Sequence, residues 1–460
     1  MKRFFGFPNT YVLIFALLMA TAAATWILPG GEYQRAERDG RTVIVADSFR
    51  PAAPSPQGVG AALAAPVKGM RQTVDIISFI FVIGGAFAVL QKTGAVDVAI
   101  HRTVRRLRRR SELLIPSVMV LFSLGGAVIG MSEETIPFVL VFVPLALALG
   151  YDSIVGVCMC FVGAGLGFAG AMLNPFTVGV AQGICKLPPF SGLGYRLVVW
   201  AVITTVGISY VMWYARRVKA NPTLSPAHDL DLNRPPASVV ADPRFTRAHG
   251  LVIGTFFAGL ILLIFGVIQF QWYILEMAAI FLGVGILVGV FGGLTANEIA
   301  ETYVAGIKDI AGAAIVVGLS RGILVISQDG RVLDTILYGL SSLIGGKSPL
   351  LAAEMQFVVH TLLNFLVPSG SGHAALTMPL MSPLSELTGV TQQTAVLAFQ
   401  FGEGFTTLVV PTSGVTMSVL SVAKIPWTTW FKFMWPLQVI LAVTGMLLLI
   451  PPVLMKWGPF

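Results

Sequence analysis

Four short polar segments interrupt an otherwise apolar chain, and their side chains suit solute recognition better than covalent chemistry. GMSEET (Gly130–Thr135) carries Ser132, Glu133, Glu134 and Thr135, and LNPFTVG (Leu173–Gly179) carries Asn174 and Thr177. VPSGSGH (Val367–His373) carries Ser369, Ser371 and His373, and VPTSG (Val410–Gly414) carries Thr412 and Ser413. Three more polar residues sit inside apolar runs: Glu403 in FQFGEGF, Arg321 in VGLSRGIL, and Asn364, which shares a helix face with His360 four residues before it. Ionisable groups at membrane depth are costly and mark solute or ion pathways. A glutamate there can hold a substrate ammonium or take up a proton, and an arginine can hold a carboxylate. Asn, Ser and Thr supply neutral donors and acceptors. Each residue also has a structural role open to it: Glu133 or Glu134 can complement a helix dipole, Arg321 and Glu403 can pair with each other, and His373 can be a hydrogen-bonded histidine instead of a proton carrier.

The proline and glycine in these segments break helices. Proline removes a backbone donor and glycine admits unusual torsions. The N–H and C=O groups freed in this way survive at membrane depth only where protein, water or solute satisfies them. Ser132 reads as the N-cap of the apolar arm that follows, with Ser371 as its counterpart, which would put Glu133 and Glu134 in a first helical turn. A helix N-terminus of this kind suits a carboxylate. Unwound carbonyls beside Asn174 and Ser413 offer a place for sodium, whereas His373 and the glutamates offer places for a proton. No other cofactor is expected. The chain has no nucleotide-binding loop, metal-ligand spacing or nucleophile–base pair, so it reads as a non-enzyme.

The elements that must position these residues follow from composition. Hydrophobic residues make up 55% of the 460, charged residues 11%, and mean hydropathy is +0.82, against about 25% charged in soluble domains. The expected fold is an all-α polytopic membrane protein, with crossings near 10–28, 72–91, 154–183, 194–215, 251–269, 272–291, 308–327, 393–423 and 433–452. The first run resembles a signal peptide, but its length and the spans after it favour a retained helix. The net charge of +8 is concentrated in short segments between apolar runs, the pattern that orients membrane proteins and not a nucleic-acid-binding face. His101–Arg110 carries six arginines and no acid, and the segment after Tyr214 is again basic. Both are expected in the cytoplasm, with the N-terminus, and the loop Pro29–Met70 outside. Cys158, Cys160 and Cys185 read as buried small residues.

Two stretches, about 112–150 and 349–388, are apolar pairs separated by a polar tip, and they read as re-entrant hairpins. Internal similarity links them. Pro144 and Pro383 are 239 apart (383 − 144), as are Gly150 and Gly389, and KLP at Lys186–Pro188 recurs as KIP at Lys424–Pro426. The expected organisation is a first repeat at 1–215, a cytoplasmic linker and connecting helix at 216–271, and an inverted second repeat at 272–460. Inverted repeats with discontinuous helices are the architecture of alternating-access transporters. A channel is the rival, disfavoured by two closed hairpins.

GMSEETIPF, VPSGSGHAALTMPLMSPL, LAFQFGEGFTTLVVPTSG and FPNTY…WILPGGEY resemble the YfcC branch of the DcuC family, within the ion transporter superfamily. The resemblance covers essentially the whole chain. That group includes anaerobic carriers of four-carbon dicarboxylates and arginine/ornithine antiporters. The resemblance implies a homodimer in a bacterial inner membrane, in contact with lipid, moving a small-molecule solute by an elevator-like mechanism. It carries over to Ser132, Glu133, Glu134, Asn174, Ser369, Ser371, Glu403, Thr412 and Ser413. His373 departs from the neutral or glutamine-like residue expected at the second tip, so the coupling ion, sodium or proton, does not carry over. The expected solute bears a carboxylate and is an amino acid, possibly basic. A four-carbon dicarboxylate is the alternative, with Arg321 as counter-charge.

Overall fold

The computed structural model describes residues 10–38, 41–45, 48–96, 98–99, 102, 111–234, 245–270, 272 and 274–458. Apart from Arg102, the arginine-rich segment 101–110 lies outside the described residues, as does 235–244 of the second basic segment. Among the described residues six helices are long and apolar enough to cross a membrane. They are α3 (Val74–Lys92), α4 (Ser111–Ile129), α8 (Leu193–Ala220), α11 (Ile274–Phe291), α14 (Pro349–Leu366) and α18 (Trp427–Leu454). The protein is a polytopic helical membrane protein. Shorter helices complete it: α1 (Thr10–Ala24), α2 (Val59–Gln72), α5 (Thr135–Ala148), α6 (Ser153–Ala169, with a π-helical stretch at Cys158–Val162), α7 (Val180–Ile184), α9 (His228–Leu232) and α13 (Leu333–Ser342). The remaining elements are α10 (Arg247–Phe270), α12 (Ala296–Asp329), α15 (Gly370–Thr388), α16 (Gln392–Thr407) and α17 (Gly414–Val422).

The expected loop Pro29–Met70 is more structured than hydropathy alone implies. It forms two antiparallel pairs, Gly30–Glu32 (β1) with Arg50–Ala52 (β4) and Arg35–Arg38 (β2) with Arg41–Ile44 (β3), and then enters α2. α2 is rich in small residues and contains Pro66, which hides it from a hydropathy window. It is held by close approach: a Cβ on Gly69 would lie 2.3 Å from the Gly318 carbonyl oxygen of α12. α12 likewise starts before the expected 308, because Thr295 and Glu298 form a capping box ahead of a polar first turn.

Two packing groups result. In the first, α1, α2 and α3 pack on α12, while α11 packs on α3 and α10. In the second, α4 packs on α6, α14 on α16, and α8 on α6 and α18. The groups meet where α12 and α5 pack on α17. Similar caps recur along the second group at a constant spacing. Asp152 and Thr391, 239 apart (391 − 152), cap α6 and α16 by accepting the Val155 and Thr394 N–H groups at 2.9 and 3.3 Å. Asn174 and Ser413, also 239 apart, start the segments after the two breaks. Lys186 and Lys424 share the left-handed φ values of 55° and 54°.

Candidate functional site

Both hairpins end in tight tips. α4 stops at Ile129, and Gly130 reverses the chain at φ 72°, where a Cβ would sit 2.6 Å from Asn174 Oδ1. α5 does not begin at Ser132 as its expected cap. Its first residue is Thr135, and Glu133 and Glu134 lie in the preceding turn instead of a first helical turn. The acid does the capping work in reverse: Glu134 Oε2 accepts the Ser132 N–H at 2.8 Å, and Thr135 Oγ1 donates to the Ser132 carbonyl at 2.6 Å. A carboxylate outcompetes a hydroxyl for a free N–H because the bond is charge-assisted. At the second tip α15 begins at Gly370, after Ser369, with no side-chain cap from Ser369 or Ser371. A Cβ on Gly370 would meet Thr177 Cγ2 at 2.6 Å and stand 3.8 Å from Glu403 Oε1. Only glycine lets the second tip reach the first broken helix.

Where the tips and breaks converge there is a cavity of about 240 Å³, far more than the roughly 10–15 Å³ that one water needs. Ser132, Glu133, Glu134, Thr135, Ser369, Ser371, Glu403, Thr412 and Ser413 line it from the second packing group, while Gln72, Thr73, Ser320 and Arg321 line it from the first. Glu403 is 1% exposed; its Oε1 accepts from Thr407 Oγ1 at 3.1 Å and its Oε2 has no partner among the described residues. Arg321 does not pair with Glu403. Its Nε donates to Gln72 Oε1 at 2.9 Å. Ser320 Oγ donates to the Pro411 carbonyl at 3.0 Å, joining α12 to the break between α16 and α17. Among the described residues no cluster of His, Cys, Asp and Glu could hold a metal ion.

A model of the C4-dicarboxylate anaerobic carrier family, DcuC, matches residues 7–453. The chain belongs to the DcuC family. It is 38% identical over 470 residues, 94% of this chain and 93% of the relative, to an Escherichia coli K12 protein named "Putative basic amino acid antiporter YfcC". It is 28% identical to an uncharacterized protein of Haemophilus influenzae, over 98% of this chain and 97% of the other. Among solved structures it is similar to the Alcanivorax borkumensis YdaH transporter, with TM-score 0.45, 17% identity, and 98% and 100% of the two chains covered. Neisseria gonorrhoeae MtrF gives TM-score 0.43 and 12% identity over 96% and 94%.

This DcuC-family membrane transporter leaves four of the expected site residues outside the cavity lining. Asn174 and Ser413 use their side-chain oxygens as caps, Asn174 Oδ1 accepting the Phe176 and Thr177 N–H groups and Ser413 Oγ that of Thr416. Ser413 still lines the cavity, whereas Asn174 and Thr177 lie behind it, fully buried. Asn364 also stands behind the site: its Nδ2 donates to the Glu403 carbonyl at 3.1 Å and to Thr406 and Thr407 Oγ1, both at 2.9 Å. It fixes the end of α16 and the hydroxyl that Glu403 uses. His373 turns inward, its Nε2 lying 3.1 Å from His360 Nδ1, and its backbone N–H donates to the Ser369 carbonyl at 2.6 Å. Gln72, Thr73, Ser320 and Thr407 line the cavity without having been expected there. Thr407 was findable, one helical turn after Glu403. Gln72 and Thr73 were expected only as the start of the crossing 72–91, and their place at the cavity follows from the junction of α2 and α3.

Proposed function

We propose that this transporter carries a small carboxylate-bearing amino acid with a cationic side chain, of the arginine or ornithine type, by alternating access. The observation that carries the reading is the charge of the cavity. Glu133, Glu134 and Glu403 face a single guanidinium, Arg321, one of whose nitrogens is already engaged by Gln72. An acidic, partly dehydrated pocket favours a solute that brings positive charge and penalises one that brings two carboxylates. The free nitrogens of Arg321 would take the solute's carboxylate and Glu403 its cation. The name of the Escherichia coli relative, "Putative basic amino acid antiporter YfcC", agrees with this charge balance.

Movement is proposed as elevator-like exchange, in which the hairpins and broken helices travel against α1–α3 and α10–α12. The matched caps at Asp152 and Thr391 and at Asn174 and Ser413, with the shared torsions of Lys186 and Lys424, support two inverted repeats around the cavity. The cavity takes residues from both packing groups, so relative movement of the groups would remake the site. We place the chain in a bacterial inner membrane as a homodimer, with its N-terminus and both basic segments in the cytoplasm.

The dicarboxylate reading has the family description in its favour. It needs protons on the acids, so that Arg321 dominates the cavity. Counterflow into proteoliposomes separates the two. Preloaded unlabelled arginine is expected to drive uptake of labelled arginine or ornithine, with no uptake of labelled succinate. Succinate counterflow without arginine counterflow would overturn the amino-acid reading.

A further inference from the structure

We infer that Arg196 anchors an anion site, separate from the solute cavity, that takes a small monovalent anion such as chloride. Arg196 is fully buried, 0% exposed. It lies in the first turn of α8, which starts after Gly192 at φ 77°. That is the end of a helix where positive charge is least welcome, because the macrodipole is already positive there. Buried charges in proteins are paired or neutralised. Arg196 is neither. Its Nη2 donates to Gln393 Oε1 at 3.2 Å, and its Nε and Nη1 are buried with no hydrogen-bond partner among the described residues. No ion pair among the described residues includes it.

The surroundings hold the guanidinium in place without neutralising it. The Trp457 ring lies beneath it, with the centroid 5.5 Å away. Gln182 Nε2 donates to the same Gln393 oxygen at 3.2 Å and to the Ser191 carbonyl at 2.9 Å, and Gln393 Nε2 donates to Ser191 Oγ at 2.5 Å. The one acceptor that Arg196 uses is therefore shared with a second donor. A Cβ on Gly192 would lie 3.2 Å from that oxygen and 2.5 Å from Trp457 Cζ2, so the start of α8 closes over the cluster. A water could satisfy the two free nitrogens but not the charge. A small anion does both. None of Ser191, Arg196, Gln182, Gln393 or Trp457 lines the solute cavity. The site nevertheless shares α16 with that cavity, because Gln393 and Glu403 lie about 15 Å apart along one helix.

The test uses purified full-length protein in detergent. Thermal unfolding is followed at constant ionic strength while chloride or bromide replaces gluconate, a much bulkier organic anion. A saturable rise in melting temperature is expected for both halides, because a ligand that binds only the folded state stabilises it. Arg196→Gln keeps an amide donor but removes the charge, and is expected to weaken the apparent halide affinity by about tenfold or more. Crystals of the unsubstituted protein grown in bromide give a readout that needs no variant: an anomalous peak in contact with the guanidinium. A melting temperature indifferent to halide, an equal response in Arg196→Gln, or bromide crystals without a peak at Arg196 would each overturn the assignment.

Discussion

Glu403→Gln is expected to abolish solute uptake while the protein remains folded and at least as stable as before. The substitution is isosteric. Its amide oxygen can accept from Thr407 Oγ1 as Oε1 does now, at 3.1 Å, and the backbone carbonyl held by Asn364 is untouched. What disappears is the charge on a carboxylate whose second oxygen has no partner among the described residues. A buried carboxylate in that state is a cost to the empty protein and an asset only when a cation arrives. Removing one member of a desolvated, hydrogen-bonded charge pair costs about 2–5 kcal/mol, so binding of a cationic solute should weaken by roughly 30- to 5,000-fold. Initial uptake rates in proteoliposomes, paired with a thermal melt of the same preparation, check both halves. Uptake at the normal rate would take Glu403 out of the solute site.

Gly167→Ala should have the largest effect on stability. A Cβ there would stand 1.8 Å from the Ser123 carbonyl oxygen, and the neighbouring contact is as close, with a Gly126 Cβ 2.0 Å from the Ala164 carbonyl. These two glycines let α4, the first hairpin arm, lie directly against α6, in the manner of small-residue crossings between membrane helices. The obstacle is backbone, not a flexible side chain. Relief therefore requires the arm to move away from the broken helix, and the tip bearing Glu133 and Glu134 moves with it. Overpacking costs about 1–3 kcal/mol where side chains can shift, and more is expected here. Gly126→Ala should behave alike, and the double variant should be less than additive because both report one contact. Gly183→Ala is the control, since nothing lies within 4 Å of its Cβ position. A melting temperature for Gly167→Ala equal to that of Gly183→Ala would remove the close-packed crossing from the explanation of the site.

The turns at the two polar tips, the two breaks and most of the long helices were legible in the sequence, for a physical reason. In lipid every unpaired backbone group needs a partner, so proline, glycine and polar residues inside apolar runs are informative there. The cavity acids Glu133, Glu134 and Glu403 were legible on the same ground. Less legible were features set by tertiary packing. α2 and the first part of α12 have few large apolar side chains, and they are held by backbone approach at Gly69 and by a capping box. Ser132 and Ser371 read as counterparts, but the two tips are not equivalent. The first keeps a turn up to Glu134, whereas the second enters α15 at Gly370. His373 therefore stands within the helix and faces His360, not the cavity. Arg196 carried no signal at all. It sits where an arginine at a membrane interface would reach for water, and the Trp457 ring that faces it lies 261 residues further on (457 − 196).

Equilibrium binding to the purified protein tests the acidic-cavity reading most directly. Titration of arginine by calorimetry is expected to give saturable binding that Glu403→Gln weakens by at least about 30-fold, and succinate is expected neither to bind nor to compete. Saturable succinate binding, with arginine inert against the same preparation, would contradict it.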